Sequence, residues 1–218
     1  MYSNIRQKEI LSQTENFIKQ QFTGEGSGHD WWHMFRVRNL ALKISKQEGG
    51  DVFIVEMAAL LHDLDDWKLR NSNENSETER WLESLNLKES NAKKILEIIE
   101  QVSFKGAGVE TKAVSLEAQI VQDADRLDAI GAIGVARTFA YGGYKNRLMY
   151  DPVVKPELHH TFEAYRNSTA PTINHFYEKL LLLKDRLNTQ TAVNLAKSRH
   201  RFMEDFLEQF FNEWDCNF

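Results

Sequence analysis

The chain has 218 residues, 42% of them apolar and 27% charged, with Gly 11 and Pro 3, which excludes collagen-like, low-complexity and disordered classes and allows a full hydrophobic core. A formal net charge of −5 argues against a general nucleic-acid binder, because phosphate backbones are held by basic surfaces. The lone Cys216 admits no internal disulfide, no apolar run nears the about 18 residues of a membrane span, and no signal-peptide core opens the chain, so a soluble cytoplasmic protein is expected.

Between clusters of glycine the apolar residues recur with a period near 3.6, which predicts helices over 4–21, 30–47, 51–66, 75–86, 90–103, 115–140, 172–187 and 191–214. Asp51 and Ser90 stand where N-caps belong. Pro152, Pro156 and Pro171 fall in 142–171, which lacks clean periodicity and is expected to be an ordered excursion over the surface, or a lid. The stripe of Phe202, Phe206 and Phe210 is expected to pack into the core. Strand patterns, linkers and repeats are missing, so the fold class is all-α, a single compact helical bundle spanning 1–218.

Three polar clusters break this apolar pattern. His33 falls at the head of the stripe Val37, Leu40, Ala41 and Ile44, where an imidazole needs partners for both ring nitrogens. Taken alone, it reads most simply as a core histidine. His29, four residues earlier, completes a His-x3-His pair that can chelate zinc but lacks the Glu of the zincin motif. In 51–66, His62, Asp63 and Asp66 share a roughly 100° arc opposite Phe53, Met57, Leu60, Leu61 and Leu64. Val52, Val55 and Ala59 lie beside that arc, so it too is expected to be covered. An imidazole and two carboxylates under cover are costly without compensating charge, and a divalent cation supplies it. In 115–140, Asp123, Asp125 and Asp128 interrupt Ile120–Ile133, and carboxylates so close raise one another's pKa unless a cation sits among them. Periodicity does not choose between Asp125 and Asp128 as its ligand.

In this order the clusters resemble the HD-domain metal-dependent phosphohydrolases, whose pattern is a lone His, a His-Asp pair and a distant Asp. The segments GHDWWHMFRVRNLALKI, VQDADRLDAIGAIGVARTFAYGG and INHFYEKLLLLKDRLNT are similar to the bacterial stand-alone subgroup, with the motif core over about 25–140. The resemblance implies that His33, His62, Asp63 and Asp125 are metal ligands, and that Asp66 positions the attacking water. It leaves His29, Asp123 and Asp128 as supporting residues. The implied activity is removal of pyrophosphate from nucleoside triphosphates, with monophosphatase or phosphodiesterase action as alternatives found in relatives.

Two imidazoles and two carboxylates suit one divalent cation, manganese first and Mg, Co, Ni or Fe next. An acidic chain handling polyphosphate needs local positive charge, and Arg36, Lys68, Arg126 and Lys145 adjoin the ligand positions. Trp31, Trp32, Trp67 and Tyr144 are candidates to stack a base, against the simpler reading as core. The expected partner is a small nucleotide, with neither nucleic acid nor membrane; a homodimer is compatible with the pattern but not specified by it. Two rival readings are a ligand sensor that keeps the ion without turnover, and a zinc hydrolase built on His29 and His33.

Overall fold

Nine of the ten residues of the helix Val52–Leu61 are buried, which makes this short segment the centre around which its neighbours pack. The structure is a computed structural model that describes residues 5–24, 30–65 and 76–217. Its elements in chain order are α1 (Ile5–Gln21), α2 (Trp31–Glu48), α3 (Val52–Leu61), α4 (Glu77–Ser84), α5 (Glu89–Glu100), α6 (Leu116–Asp128), α7 (Gly131–Tyr144), α8 (Phe162–Asn167), α9 (Asn174–Glu178), a 3-10 helix (Leu180–Arg186) and α10 (Gln190–Trp214). No strand occurs among the described residues, so the all-α expectation is met.

The chain forms two compact units. The first holds residues 1–103 and 111–125, the second 104–110 and 126–218. In the first, α3 packs against α1, α2 and α5, and α4 against α5. The apolar covering that burial on every side of α3 requires is present, since Val55, Met57, Ala58, Ala59, Leu60 and Leu61 are each 0% exposed. Asp51 caps α3 by accepting hydrogen bonds from the amides of Phe53 and Ile54 at 3.0 and 3.3 Å, as the sequence predicts. Ser90 does not cap α5. That helix starts at Glu89 behind Lys88, which makes no side-chain capping bond, and Glu89 itself puts negative charge at the positive end of the helix.

Within this core sits a charge that periodicity does not reveal. Glu56 on α3 is 0% exposed. Arg38 on α2 donates from Nε to Glu56 Oε1 at 2.5 Å and from a terminal nitrogen to Glu15 Oε2 of α1 at 3.0 Å. The guanidinium thus bridges three helices through one planar fork. Burial pushes the Glu56 carboxyl up to about 7 even with Arg38 in contact. A raised carboxyl means that protonation favours the folded state, an advantage complete below about 4.5 and gone as the pH rises past about 7. Arg38→Met is therefore expected to destabilise the protein by about 3–5 kcal/mol at pH 8, where Glu56 is left charged and unpaired. At pH 5 the loss should be clearly smaller, because Glu56 takes up a proton. Urea melts at the two pH values check this, and an equal loss at both refutes it.

In the second unit α10 packs on α7 and on the 3-10 helix. The buried line of α10 is Ala192, Ala196, His200, Met203 and Leu207. Phe206 flanks it, with ring centroids 5.9 and 5.6 Å from Phe139 and Phe176, and Phe210 lies 5.9 Å from Tyr150. Phe202, expected in the core with them, is 45% exposed, because it falls on the solvent side of the turn that buries Met203.

Two predicted helices are divided. The span 115–140 breaks after Asp128, where Gly131 takes φ +76, a conformation that costs glycine nothing and other residues dearly. A Cβ at Gly134 would stand 2.2 Å from the carbonyl oxygen of Ala129, so α7 folds back too closely for any side chain there. The span 172–187 becomes the short α9 and the 3-10 helix. The irregular excursion is ordered as expected: amides of Thr172 and Ile173 donate to the carbonyls of Leu148 and Met149 at 2.9 and 3.0 Å, and α8 lies within it.

Candidate metal centre

Three elements of the first unit bring together the side chains that could hold a cation. Asp30 caps α2 by accepting from the amide of His33 at 2.9 Å, which fixes the first turn and with it the histidine. His33 is 0% exposed. The helix α3, predicted to continue to 66, stops at Leu61 instead, and His62 is its C-cap. The ring Nδ1 of His62 lies 2.9 Å from the carbonyl oxygen of Ala59. That bond makes Nδ1 the donor and leaves a lone pair on Nε2, the form a metal requires. His62 and Asp63 thus project from the closing turn of α3 rather than from its middle. Asp125 comes from α6, near the end of the first unit.

Nε2 of His33 is 3.2 Å from Asp63 Oδ2 and 3.5 Å from Asp125 Oδ1. Nε2 of His62 is 3.4 Å from Asp63 Oδ1 and 3.7 Å from Asp125 Oδ1. The two rings meet edge to face at 5.2 Å. Donor atoms of His33, His62 and Asp63 all lie within 4.8 Å of one another, and Asp125, with its side chain 25% exposed, forms the open side. Ligands about 2.1 Å from a common cation stand roughly 3.0–3.5 Å apart, so this spacing fits one. Nε2 of His62 is buried and makes no hydrogen bond, an atom left for a group from outside the chain.

The electrostatics follow from this crowding. Burial disfavours charge on His62, but the carboxylates of Asp63 and Asp125 outweigh it and raise its pKa to about 9. Burial likewise opposes charge on Asp125, yet His62 and His33 hold its carboxyl well below the usual range. Each partner favours charge on the other, and a dication held between them would displace the imidazole proton and supply the positive charge itself.

The other predicted residues are dispersed. His29, Asp66, Lys68 and Trp67 lie outside the described residues. Asp123 is 0% exposed on α6, and Arg36 is half-buried on α2, one turn after His33. Trp31 is buried at the start of α2, whereas Trp32 is 59% exposed. In the second unit, Arg126, which the sequence offers as a cation for phosphate, is buried and donates to the carbonyl of Arg186. Asp128 accepts from Arg137 at 2.9 Å, an ion pair across the break between α6 and α7. Lys145 is exposed, with Nζ 5.0 Å from the ring centroid of the exposed Tyr144.

One further residue escaped the sequence reading. Asp65 accepts from Ser76 Oγ at 2.7 Å and from the amides of Glu77 and Thr78 at 3.0 Å each. Burial opposes its charge, but hydrogen bonds from Thr78, Ser76 and Glu77 lower its pKa. Asp65 therefore ties the turn that carries His62 and Asp63 to the positive end of α4. The only signal in the sequence is the adjacency of two acids after the His-Asp pair, which does not say that they have different jobs.

Comparison with known proteins gives concordant results. The HD domain family model matches residues 31–130. The chain is 40% identical to YpgQ of Bacillus subtilis over 208 residues, 94% of each protein. A crystal structure of that protein in complex with ADP superimposes with a TM-score of 0.76 at 34% identity, over 96% of this chain and 97% of the other. An HD-superfamily hydrolase from Bacillus thuringiensis matches with a TM-score of 0.72 at 47% identity, over 96% and 98%. A crystal structure of a protein from Lactobacillus plantarum matches with a TM-score of 0.88 at 37% identity, over the full length of both chains. With relatives this similar along almost their entire length, the chain belongs to the HD-superfamily hydrolases, in the bacterial stand-alone subgroup.

Proposed function

We propose that this chain is a metal-dependent phosphohydrolase that acts on nucleotides and releases pyrophosphate from nucleoside triphosphates. The observation that carries the reading is the convergence of two imidazole nitrogens and two carboxylates within 3.2–3.7 Å in the first unit. The ADP found in the crystal structure of YpgQ supports a nucleotide as ligand. His33, His62, Asp63 and Asp125 would hold the cation, and their mixed nitrogen and oxygen set suits manganese with two coordination positions to spare. When bound, such an ion supplies positive charge for a phosphoryl oxygen and makes water more acidic. Asp66 accepts the proton of the attacking water, and Arg36 and Lys68 hold phosphate oxygens. The Nδ1 bond of His62 to Ala59 keeps its ring in the coordinating tautomer throughout.

Phosphorus NMR of a nucleotide panel incubated with the protein and Mn is expected to show inorganic pyrophosphate and a nucleoside monophosphate. Orthophosphate as the product would replace this reading with a monophosphatase. Absence of turnover with metal bound would replace it with a ligand sensor.

A further inference from the structure

The excursion that contains the three prolines belongs to the second unit. There a cavity of about 470 Å³ is walled by residues from 148–171 and by Glu178. Its two deepest polar side chains, Glu178 and His159, are 4% and 8% exposed. Glu178 spends one oxygen on the backbone, accepting from the amide of Glu157 at 3.2 Å. The other, Oε2, stops 3.6 Å from Nε2 of His159, beyond hydrogen-bond distance, and that buried Nε2 has no hydrogen-bond partner. The buried ring nitrogen lacks the bond that burial ordinarily demands, while Glu178, already bonded through Oε1, keeps Oε2 facing it without a donor within hydrogen-bond distance.

We propose that this cavity binds a small aliphatic amine, with its ammonium group on Glu178 and His159. Charge selects the sign of the ligand. Asp151, Glu157 and Glu178 line the cavity against Lys155 alone, and Lys155 turns its ammonium onto the carbonyl of Pro152 at 2.9 Å. An anion such as phosphate would meet net repulsion there. A bare metal ion is disfavoured for a different reason: among the described residues a cluster of three donors forms only at His33, His62 and Asp63. Val154 and Ala164 add apolar wall on which a short alkyl chain can lie. An alkylammonium matches both features, giving donors to the carboxylate and methylenes to the wall.

Calorimetric titration of the full chain with putrescine, the four-carbon diamine, tests this, with butanediol as the uncharged control and salt at about 150 mM to screen surface charge. Saturable binding of the diamine, one per chain, is expected, and none of the diol. Glu178→Gln should weaken binding by about tenfold or more, since a charge-assisted bond is lost. Ala164→Trp, which fills the cavity and leaves Glu178 in place, should weaken it as well. Should Glu178→Gln fail to fold by circular dichroism, Ala164→Trp decides. Diamine that does not bind, diol that binds equally, or binding that survives in the folded variants overturns the proposal.

Discussion

Asp63→Ala is expected to abolish metal uptake and nucleotide hydrolysis together. The two oxygens of this carboxylate face different imidazoles, Oδ2 toward His33 at 3.2 Å and Oδ1 toward His62 at 3.4 Å. Its side chain is 7% exposed, so water is a poor substitute for it. Loss of a residue that merely supports a metal ligand costs about 10–100-fold in affinity or activity, and a direct ligand should exceed that range. His62→Ala should behave in the same way, because it removes the one buried nitrogen whose tautomer the Ala59 carbonyl has fixed. Elemental analysis for bound Mn, read beside product formation, checks both variants, with thermal melting to establish that they fold. Full metal-dependent activity in Asp63→Ala would overturn the assignment of the centre.

Asp66→Ala should separate what Asp63→Ala removes jointly. Turnover is expected to fall by about 10²–10⁴-fold, the usual contribution of a general base, while bound Mn stays near the wild-type amount. The contrast with its neighbour sharpens the test. Asp65 is already engaged by Ser76, Glu77 and Thr78 at the start of α4, so it is not available to take a proton from water. If Asp66→Ala lost its metal, the residue would be a ligand rather than a base. If turnover were unchanged, water activation would have to be sought elsewhere in the centre.

Much of this was legible in the chain before folding. The helices α1, α2, α3 and α10 and their starts follow from the 3.6 period and from caps such as Asp51, because both signals are local and survive in a linear string. His33, His62 and Asp63 could be singled out because each interrupts an apolar face that must be covered. The helix break at Gly131 was not legible, since apolar residues continue through 115–140 while the close approach of Ala129 and Gly134 is a matter of three-dimensional space. The Arg38–Glu56 pair was hidden for a related reason: Glu56 lies within an otherwise apolar helix, and its partner is on another element.

By itself, then, the sequence determined an all-helical chain with an imidazole and carboxylate cluster spread over three segments. Periodicity left the acids of the third segment alike and the family resemblance pointed to Asp125; the tertiary structure decided which groups each acid faces. Of Asp123, Asp125 and Asp128, it set Asp125 beside both histidines and gave Asp128 to Arg137. Of Asp65 and its neighbour, it committed the first to α4. Neighbouring carboxylates are chemically alike along the chain. They acquire different roles only when burial and the groups facing them, contributed by distant elements, set a different charge balance around each.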